Sequence, residues 1–198
     1  MNAIVDYGMG NLRNVRRVFE AIGVRAEVTG EPKDIARSER VILPGVGAFG
    51  EAVRRIDALG LREPLVRHAL DGKPLLGICL GMQLLFEASE ESPGATGLSL
   101  LPGIVRRFVG ALKVPHIGWN TVEVLGTSAL FPIKGKGGCF YFVHSYFVPE
   151  SPAAVAVTDY GTRFVSAVQK KRLFGVQFHP EKSQDEGQTL LRHFMSVT

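Results

Sequence analysis

Leu75-Leu76-Gly77-Ile78-Cys79-Leu80-Gly81-Met82-Gln83 decides how the rest of the chain is read. A short apolar run ends at a small residue, one reactive side chain follows, and a second apolar stretch begins at once. That is the pattern of a nucleophile elbow, in which a buried strand turns sharply into a helix and presents a single side chain on the turn. Gly77 and Gly81 flank the cysteine and keep such a turn free of side-chain clashes. A cysteine attacks as its thiolate, and a helix starting near Leu80 would point backbone N–H groups and a partial positive charge at the sulfur. The plainer reading is a buried structural cysteine, the commoner fate of this residue. The paired glycines favour the elbow.

Outward from it, apolar strands alternate with helices. Ala3-Ile4-Val5, Val24 to Val28, Val41-Ile42-Leu43 and Leu75 to Ile78 read as short strands. Leu12, Val15, Phe19 and Ile22 recur at helical spacing and Gly23 closes that helix. A second helix runs from about Phe49 to Leu59, and a third, broken near Pro64, runs to Asp71. The alternation predicts an α/β fold with a doubly wound, mostly parallel central sheet and helices on both faces. Loops at the carboxyl ends of such strands carry the chemistry, so those beginning at Asp6, Pro44 and Cys79 share one rim.

The second half is β-rich. Ile104 to Val109, Thr121 to Leu125, Cys139 to Val148, Ala153 to Thr158 and two runs within Phe164 to Phe178 are expected to extend the sheet, partly antiparallel. The last helix opens on Ser183-Gln184-Asp185-Glu186, at capping-box spacing, and buries Leu190, Leu191, Phe194 and Met195. No repeat, linker or low-complexity segment divides residues 1–198, so a single domain is expected.

Composition narrows the function classes. The chain has 198 residues and 45% hydrophobic content, enough for one full-sized core in a soluble protein. Its net charge of +4 is small, and a run such as Lys170-Lys171-Arg172 is too short for a nucleic-acid footprint. Cys79 and Cys139 are the only cysteines, and a lone pair without a secretory segment fits a reducing compartment better than a disulfide. For Cys139 a buried small hydrophobe is the default. The N-terminus meets Asp6 after a very short apolar run and has no basic leader, so neither a signal peptide nor a membrane span is expected, and the location is read as cytoplasmic. No C-x-x-C, H-E-x-x-H or carboxylate-rich loop offers metal ligands, and neither a metal nor a cofactor is expected.

His179-Pro180-Glu181 offers the base and the orienting carboxylate that Cys79 needs. If residues 175–179 are extended, both side chains lie on one face, where Glu181 can hold the imidazole's tautomer. Taken alone the tripeptide is equally compatible with a structural turn. His68 and His193 fall on predicted helices with no acidic residue two positions on, while His116 and His144 are either site residues or satisfied core histidines. Gly45-Val46-Gly47-Ala48-Phe49-Gly50 matches G-x-G-x-x-G and admits two uses. One is a dinucleotide fingerprint. The other is an oxyanion hole, in which Gly45 and Gly47 let the Val46 N–H turn toward the elbow and act with the Leu80 N–H. The second is favoured, because the run follows the third strand and the acidic Asp71 ends a helix.

Gly77-Ile78-Cys79-Leu80-Gly81-Met82-Gln83 with His179-Pro180-Glu181 resembles the class I (triad) glutamine amidotransferases. Asp6-Tyr7-Gly8-Met9-Gly10-Asn11-Leu12, Pro44 to Phe49, Pro115-His116-Ile117-Gly118-Trp119-Asn120, Tyr141 to Tyr146 and His179 to Ser183 are similar to those family members that serve as glutaminase subunits of imidazole glycerol phosphate synthases. The resemblance implies that Cys79, His179 and Glu181 cleave L-glutamine through a thioester, that Val46 and Leu80 supply the oxyanion N–H groups, and that Gln83, Glu91, His144, Ser145 and Tyr146 bind the glutamine. It also implies a heterodimer with a (β/α)8-barrel cyclase subunit, which uses the ammonia in histidine biosynthesis to make imidazole glycerol phosphate and an aminoimidazole carboxamide nucleotide. Asn11, Trp119 and Lys182 fall at the implied interface, and neither nucleic acid nor membrane is among the partners. Rival readings are a glutaminase for another synthase (anthranilate or pyridoxal phosphate), a dinucleotide-binding oxidoreductase built on the Gly45 loop, and a non-catalytic scaffold.

Overall fold

A computed structural model describes residues 1–110, 113–133, 135 and 137–198. The first half runs β1 (Asn2–Val5), α1 (Leu12–Ala21), β2 (Glu27–Thr29), α2 (Pro32–Arg37), β3 (Arg40–Leu43), α3 (Phe49–Ala58), α4 (Arg62–Leu70), β4 (Leu75–Ile78) and the single turn α5 (Leu80–Gln83). Then come β5 (Ala88–Ser89), β6 (Ile104–Arg107), β7 (His116–Thr121), β8 (Glu123–Val124), β9 (Cys139–His144) and β10 (Tyr146–Phe147). The chain continues through β11 (Ala154–Asp159), β12 (Arg163–Lys170), β13 (Leu173–Val176), a 3₁₀ turn at Pro180–Lys182 and α6 (Gln184–Ser196). None of the helices among the described residues is long and apolar enough to cross a membrane.

The central sheet has the order β2-β1-β3-β4-β13-β12-β11-β8. Pairing is parallel from β2 to β13 and antiparallel beyond it. Successive side chains on a strand point to opposite faces, and the core divides accordingly. Ala3, Val5, Val41, Leu43 and Leu75 enter one apolar layer with Ile35 of α2, Phe49 and Ile56 of α3 and Leu65 of α4. Ile4, Ile42, Leu76 and Ile78 enter the other, with Val15 and Phe19 of α1 and Leu190, Leu191 and Phe194 of α6. Both faces of the parallel half are covered, as strands with no polar face require.

Several expectations need correction. Helix α2 escapes periodicity because a single residue, Ile35, reaches the core. Strand β2 starts at Glu27, later than Val24. Pro64 does not break a helix; it is the third residue of α4, in the first turn, where the N–H groups have no intrahelical partner. The β-rich half does not all extend the sheet. The pair β7–β9 forms a separate two-stranded ribbon, and β5, β6 and β10 form a three-stranded sheet. The ribbon buries alternate residues, Phe140, Phe142 and His144 on β9, which is the signature of strands with only one face on the core. Ser183 forms no capping box: its hydroxyl donates to His179 O at 2.6 Å and accepts from Tyr141 N at 3.0 Å. Met195 is only partly buried.

Tight backbone packing fixes the centre of the parallel half. A Cβ on Gly81 would collide with the Leu43 carbonyl oxygen at the end of β3, and one on Gly77 would lie 2.6 Å from Gly81 O. Gly81→Ala is expected to lower the free energy of unfolding by about 3 kcal/mol in denaturant titration, since the obstacle is backbone and cannot rotate away. Gly126→Ala, where an added Cβ meets nothing within 4 Å, is expected to change it by less than about 0.5 kcal/mol.

Candidate active site

Because β1, β3, β4 and β13 run parallel, the segments that follow them emerge at one edge of the sheet. These are the loop at Asp6, the loop at Pro44, Cys79 itself and Gln177–His179. Cys79 has φ 54° and ψ −108°, a conformation that costs a residue with a Cβ roughly 1–3 kcal/mol. Its N–H bonds to Val176 O at 2.8 Å, which ties the elbow to β13. The helix beneath is a single turn, so the field expected of a longer helix reduces to its local N–H groups.

A cleft of ≈ 400 Å³ opens over Cys79. Of the residues singled out from sequence, Val46, Gly47, Leu80, Gln83, Glu91, His144, Ser145, Tyr146 and Lys182 line it with Cys79. Gly45 lies beneath, where a Cβ would collide with the Tyr7 hydroxyl and stand 3.0 Å from Leu80 Cβ. That hydroxyl donates to Pro44 O at 2.8 Å and holds the start of the loop. Gly47, at φ 100°, adopts a conformation that a side chain would strain. At the other end of the loop, Phe49 N donates to Glu91 Oε2 at 2.7 Å and Gly50 N to Ser92 Oγ at 2.9 Å. A carboxylate therefore occupies the helix terminus where a dinucleotide's pyrophosphate would sit, which counts against the fingerprint reading.

His179 and Glu181 are buried, at 2% and 3% side-chain exposure, with Nδ1 and Oε1 2.7 Å apart. They meet through the tight Pro180–Lys182 turn and not along a continuous strand, since β13 ends at Val176. Burial opposes a charge on His179, yet the negative sulfur of Cys79, followed by Glu181, outweighs it and holds the imidazole's pKa up at about 10. Its Nε2 is buried with no nitrogen or oxygen partner.

His144 and His116 are the opposite case. Burial pushes their pKa values down to about 3 and about 4, so both are neutral. His144 Nδ1–H donates to Tyr146 O at 2.8 Å, leaving its Nε2 to accept from His116 Nδ1–H at 3.0 Å. Gln83 also donates to Tyr146 O, at 3.0 Å, and to Gln177 Oε1 at 3.0 Å. Tyr7 and Gln177 reach the site without having been singled out. Each had a weak sequence signal: Tyr7 follows a rim strand, and Gln177 stands two residues before His179.

Trp119 is 49% exposed on β7, edge-on to Tyr141 with ring centroids 6.2 Å apart, and Lys182 Nζ lies 5.4 Å above the Tyr141 ring. Asn11 caps α1, accepting from Asn14 N at 3.3 Å, and α1 packs against the turn that carries Lys182. His68 and His193 are structural, bonded to Pro74 O and Leu130 O. The two cysteines are unpaired, and Cys139 is exposed, contrary to the buried default.

Comparison with known proteins supplies the lineage. Residues 3–197 match the family model described as glutamine amidotransferase class-I. The imidazole glycerol phosphate synthase subunit HisH of Rhodopirellula baltica is 50% identical over 201 residues, covering 100% of this chain and 98% of its own. That of Syntrophotalea carbinolica is 46% identical over 203 residues, covering 98% of each, and that of Methanothermobacter thermautotrophicus is 46% identical over 198 residues, covering 100% and 98%. A solved glutamine amidotransferase shares the fold at TM-score 0.75 and 19% identity, covering 98% of this chain and 96% of that one. PurLQS from Thermotoga maritima does so at 0.76 and 18%, with the same coverage. The chain belongs to the class-I glutamine amidotransferase family of enzymes and, within it, to the HisH subunits of imidazole glycerol phosphate synthase.

Proposed function

We propose that the chain hydrolyses L-glutamine to glutamate and ammonia with Cys79, His179 and Glu181, and passes the ammonia to a (β/α)8-barrel cyclase subunit. That partner uses it in histidine biosynthesis to form imidazole glycerol phosphate and an aminoimidazole carboxamide nucleotide. The observation that carries this reading is the buried 2.7 Å contact between His179 and Glu181 behind a strained cysteine that lines the cleft.

The Cys79 thiolate attacks the side-chain amide carbon, and the developing oxyanion is met by the Val46 and Leu80 N–H groups. Protonated His179 gives its proton to the departing nitrogen, the C–N bond breaks, and ammonia leaves a thioester on Cys79. Acylation removes the negative charge on sulfur that held the imidazole's pKa up, so burial now favours its neutral form. Neutral His179 takes a proton from water, the hydroxide attacks the thioester, and the sulfur leaves as thiolate beside a re-protonated His179. Glu181 keeps Nδ1 protonated throughout.

Gln83, Glu91, His144, Ser145 and Tyr146 surround the glutamine in this reading, supported by their place in one cleft. Trp119, Asn11 and Lys182 face the cyclase, supported by the exposed indole beside the cleft mouth. The Gly45–Val46 peptide, between a loop start anchored by Tyr7 and a helix anchored by Glu91, is the element whose orientation the partner sets. Two apolar layers on one sheet support residues 1–198 as a single amidotransferase domain. The unpaired cysteines support a cytoplasmic location.

Glutamine hydrolysis measured with the cyclase subunit present is expected to fall by about 10³-fold or more in Cys79→Ala, and retained activity would exclude the nucleophile assignment. The isolated chain is expected to be far slower than the complex; equal rates exclude the switch, and activation by a different synthase subunit excludes the named partner. His179 also predicts a pH effect on stability. Its folded-state pKa lies above the ordinary 6.5, so its charge contributes stability that is complete below pH 6.5 and is lost as pH rises through about 10. Glu181→Gln weakens that contribution. The gap in unfolding free energy between parent and variant should be widest near pH 6 and narrow toward pH 10, and a gap independent of pH would overturn the ion pair.

A further inference from the structure

We infer that Gln177 is a further catalytic residue, whose side-chain amide donates an N–H to the Cys79 sulfur and stabilises it as the thiolate. Gln177 Nε2 lies 3.7 Å from Cys79 Sγ, and the residue is fully buried, so no water competes for the contact. Its place is set by the main chain. Gln177 N bonds to Ser166 O at 2.9 Å while Val176 O receives the Cys79 N–H at 2.8 Å, so donor and nucleophile are held by the same strand.

Which end of an amide faces a neighbour is settled only by its hydrogen-bond network. Here the network leaves no freedom. Tyr146 O is a carbonyl and can only accept, so the Gln83 atom that reaches it is the NH₂ group. That same nitrogen donates to Gln177 at 3.0 Å, so the Gln177 atom facing it is Oε1 and the nitrogen is left toward the sulfur. Tyr146 O is held in turn by His144, His144 by His116, and His116 Nε2 by Asn120 Nδ2 at 3.3 Å. Asn120 is fixed independently, because its Oδ1 accepts from Thr121 N at 2.7 Å and its Nδ2 donates to Asp159 O at 2.9 Å. Asn120, His116, His144 and Gln83 are thus positioning residues for the Gln177 amide.

The sulfur needs such a donor. Besides the His179 ring, its other close polar neighbour among the described residues is the Val143 carbonyl at 3.9 Å, which accepts a hydrogen bond from a thiol but repels a thiolate. His179 supplies positive charge only while it keeps its proton, whereas the Gln177 N–H is unchanged through the cycle. It therefore acts both when the thiolate attacks and when the sulfur is expelled from the thioester.

The inference rests on the glutaminase reading, and the experiment separates the two. Iodoacetamide alkylation of Cys79 is followed in the full chain at pH 7 and pH 10, with exposed Cys139 replaced by Ser. Glutamine turnover is measured with the cyclase subunit present. Gln177→Met keeps the length and removes the donor; Gln177→Glu keeps an acceptor for Gln83 and sets a carboxylate against the sulfur. Both variants are expected to lose about tenfold in alkylation rate at pH 7 and in kcat, with KM and the pH 10 alkylation rate within about twofold of the parent. Should both variants stay within about twofold of the parent at pH 7, or lose as much at pH 10 as at pH 7, Gln177 does not stabilise the thiolate. Those outcomes leave the glutaminase reading intact if Cys79→Ala is inactive.

Discussion

The site depends on the contact between the end of β3 and the elbow after β4. The Leu43 carbonyl oxygen occupies the space a side chain at residue 81 would need, and Gly81 O would stand 2.6 Å from a Cβ at residue 77. With no side chain at either position, the two parallel strands end nearly in register and their loops lie against each other. Gly45 continues the same packing against Leu80 and the Tyr7 hydroxyl. Cys79 can therefore hold its strained backbone only because four segments, from β1, β3, β4 and β13, close around it. The core layers on the two faces of the sheet make that closure rigid.

Electrostatics divides the histidines around this point into two kinds. His179 is held charged by the sulfur and Glu181 against the cost of burial. No anion among the described residues offsets the burial of His144 and His116, which keeps them neutral and usable as paired donor and acceptor. Chain neighbours explain only part of the difference, through Glu181 two residues after His179. The rest follows from which strand end each residue occupies: His179 lies beyond β13, beside the elbow, while His116 and His144 face each other across the β7–β9 ribbon.

The parallel half of the fold was legible because its strands and helices bury residues at different periods, and glycines mark the turns that matter. The Cys79 turn and the His179–Glu181 contact were legible because they combine unusual residue types at short spacing or between paired glycines. Helix α2 was hidden because one apolar residue makes no period, and strand β7, over residues 116–120, because its large apolar residues Ile117 and Trp119 stand on the exposed face around Gly118. Tyr7 and Gln177 were hidden for a further reason. A tyrosine and a glutamine are common residues, and only the folded chain brings Tyr7 under the Pro44 loop and the Gln177 amide to the sulfur. Ser183 shows how a local rule can point to the right residue and the wrong bond: the hydroxyl expected to cap α6 ties β9 to the His179 backbone instead.

The neutral pair has a consequence for how the resting molecule responds to its surroundings. His116 and His144 titrate well below neutrality and His179 well above it. Across the interval of roughly pH 5–8 in which an ordinary histidine changes charge, none of the three does so at rest. In the unliganded site, the hydrogen-bond polarity and the charge contributed by these three rings are therefore constant across that interval.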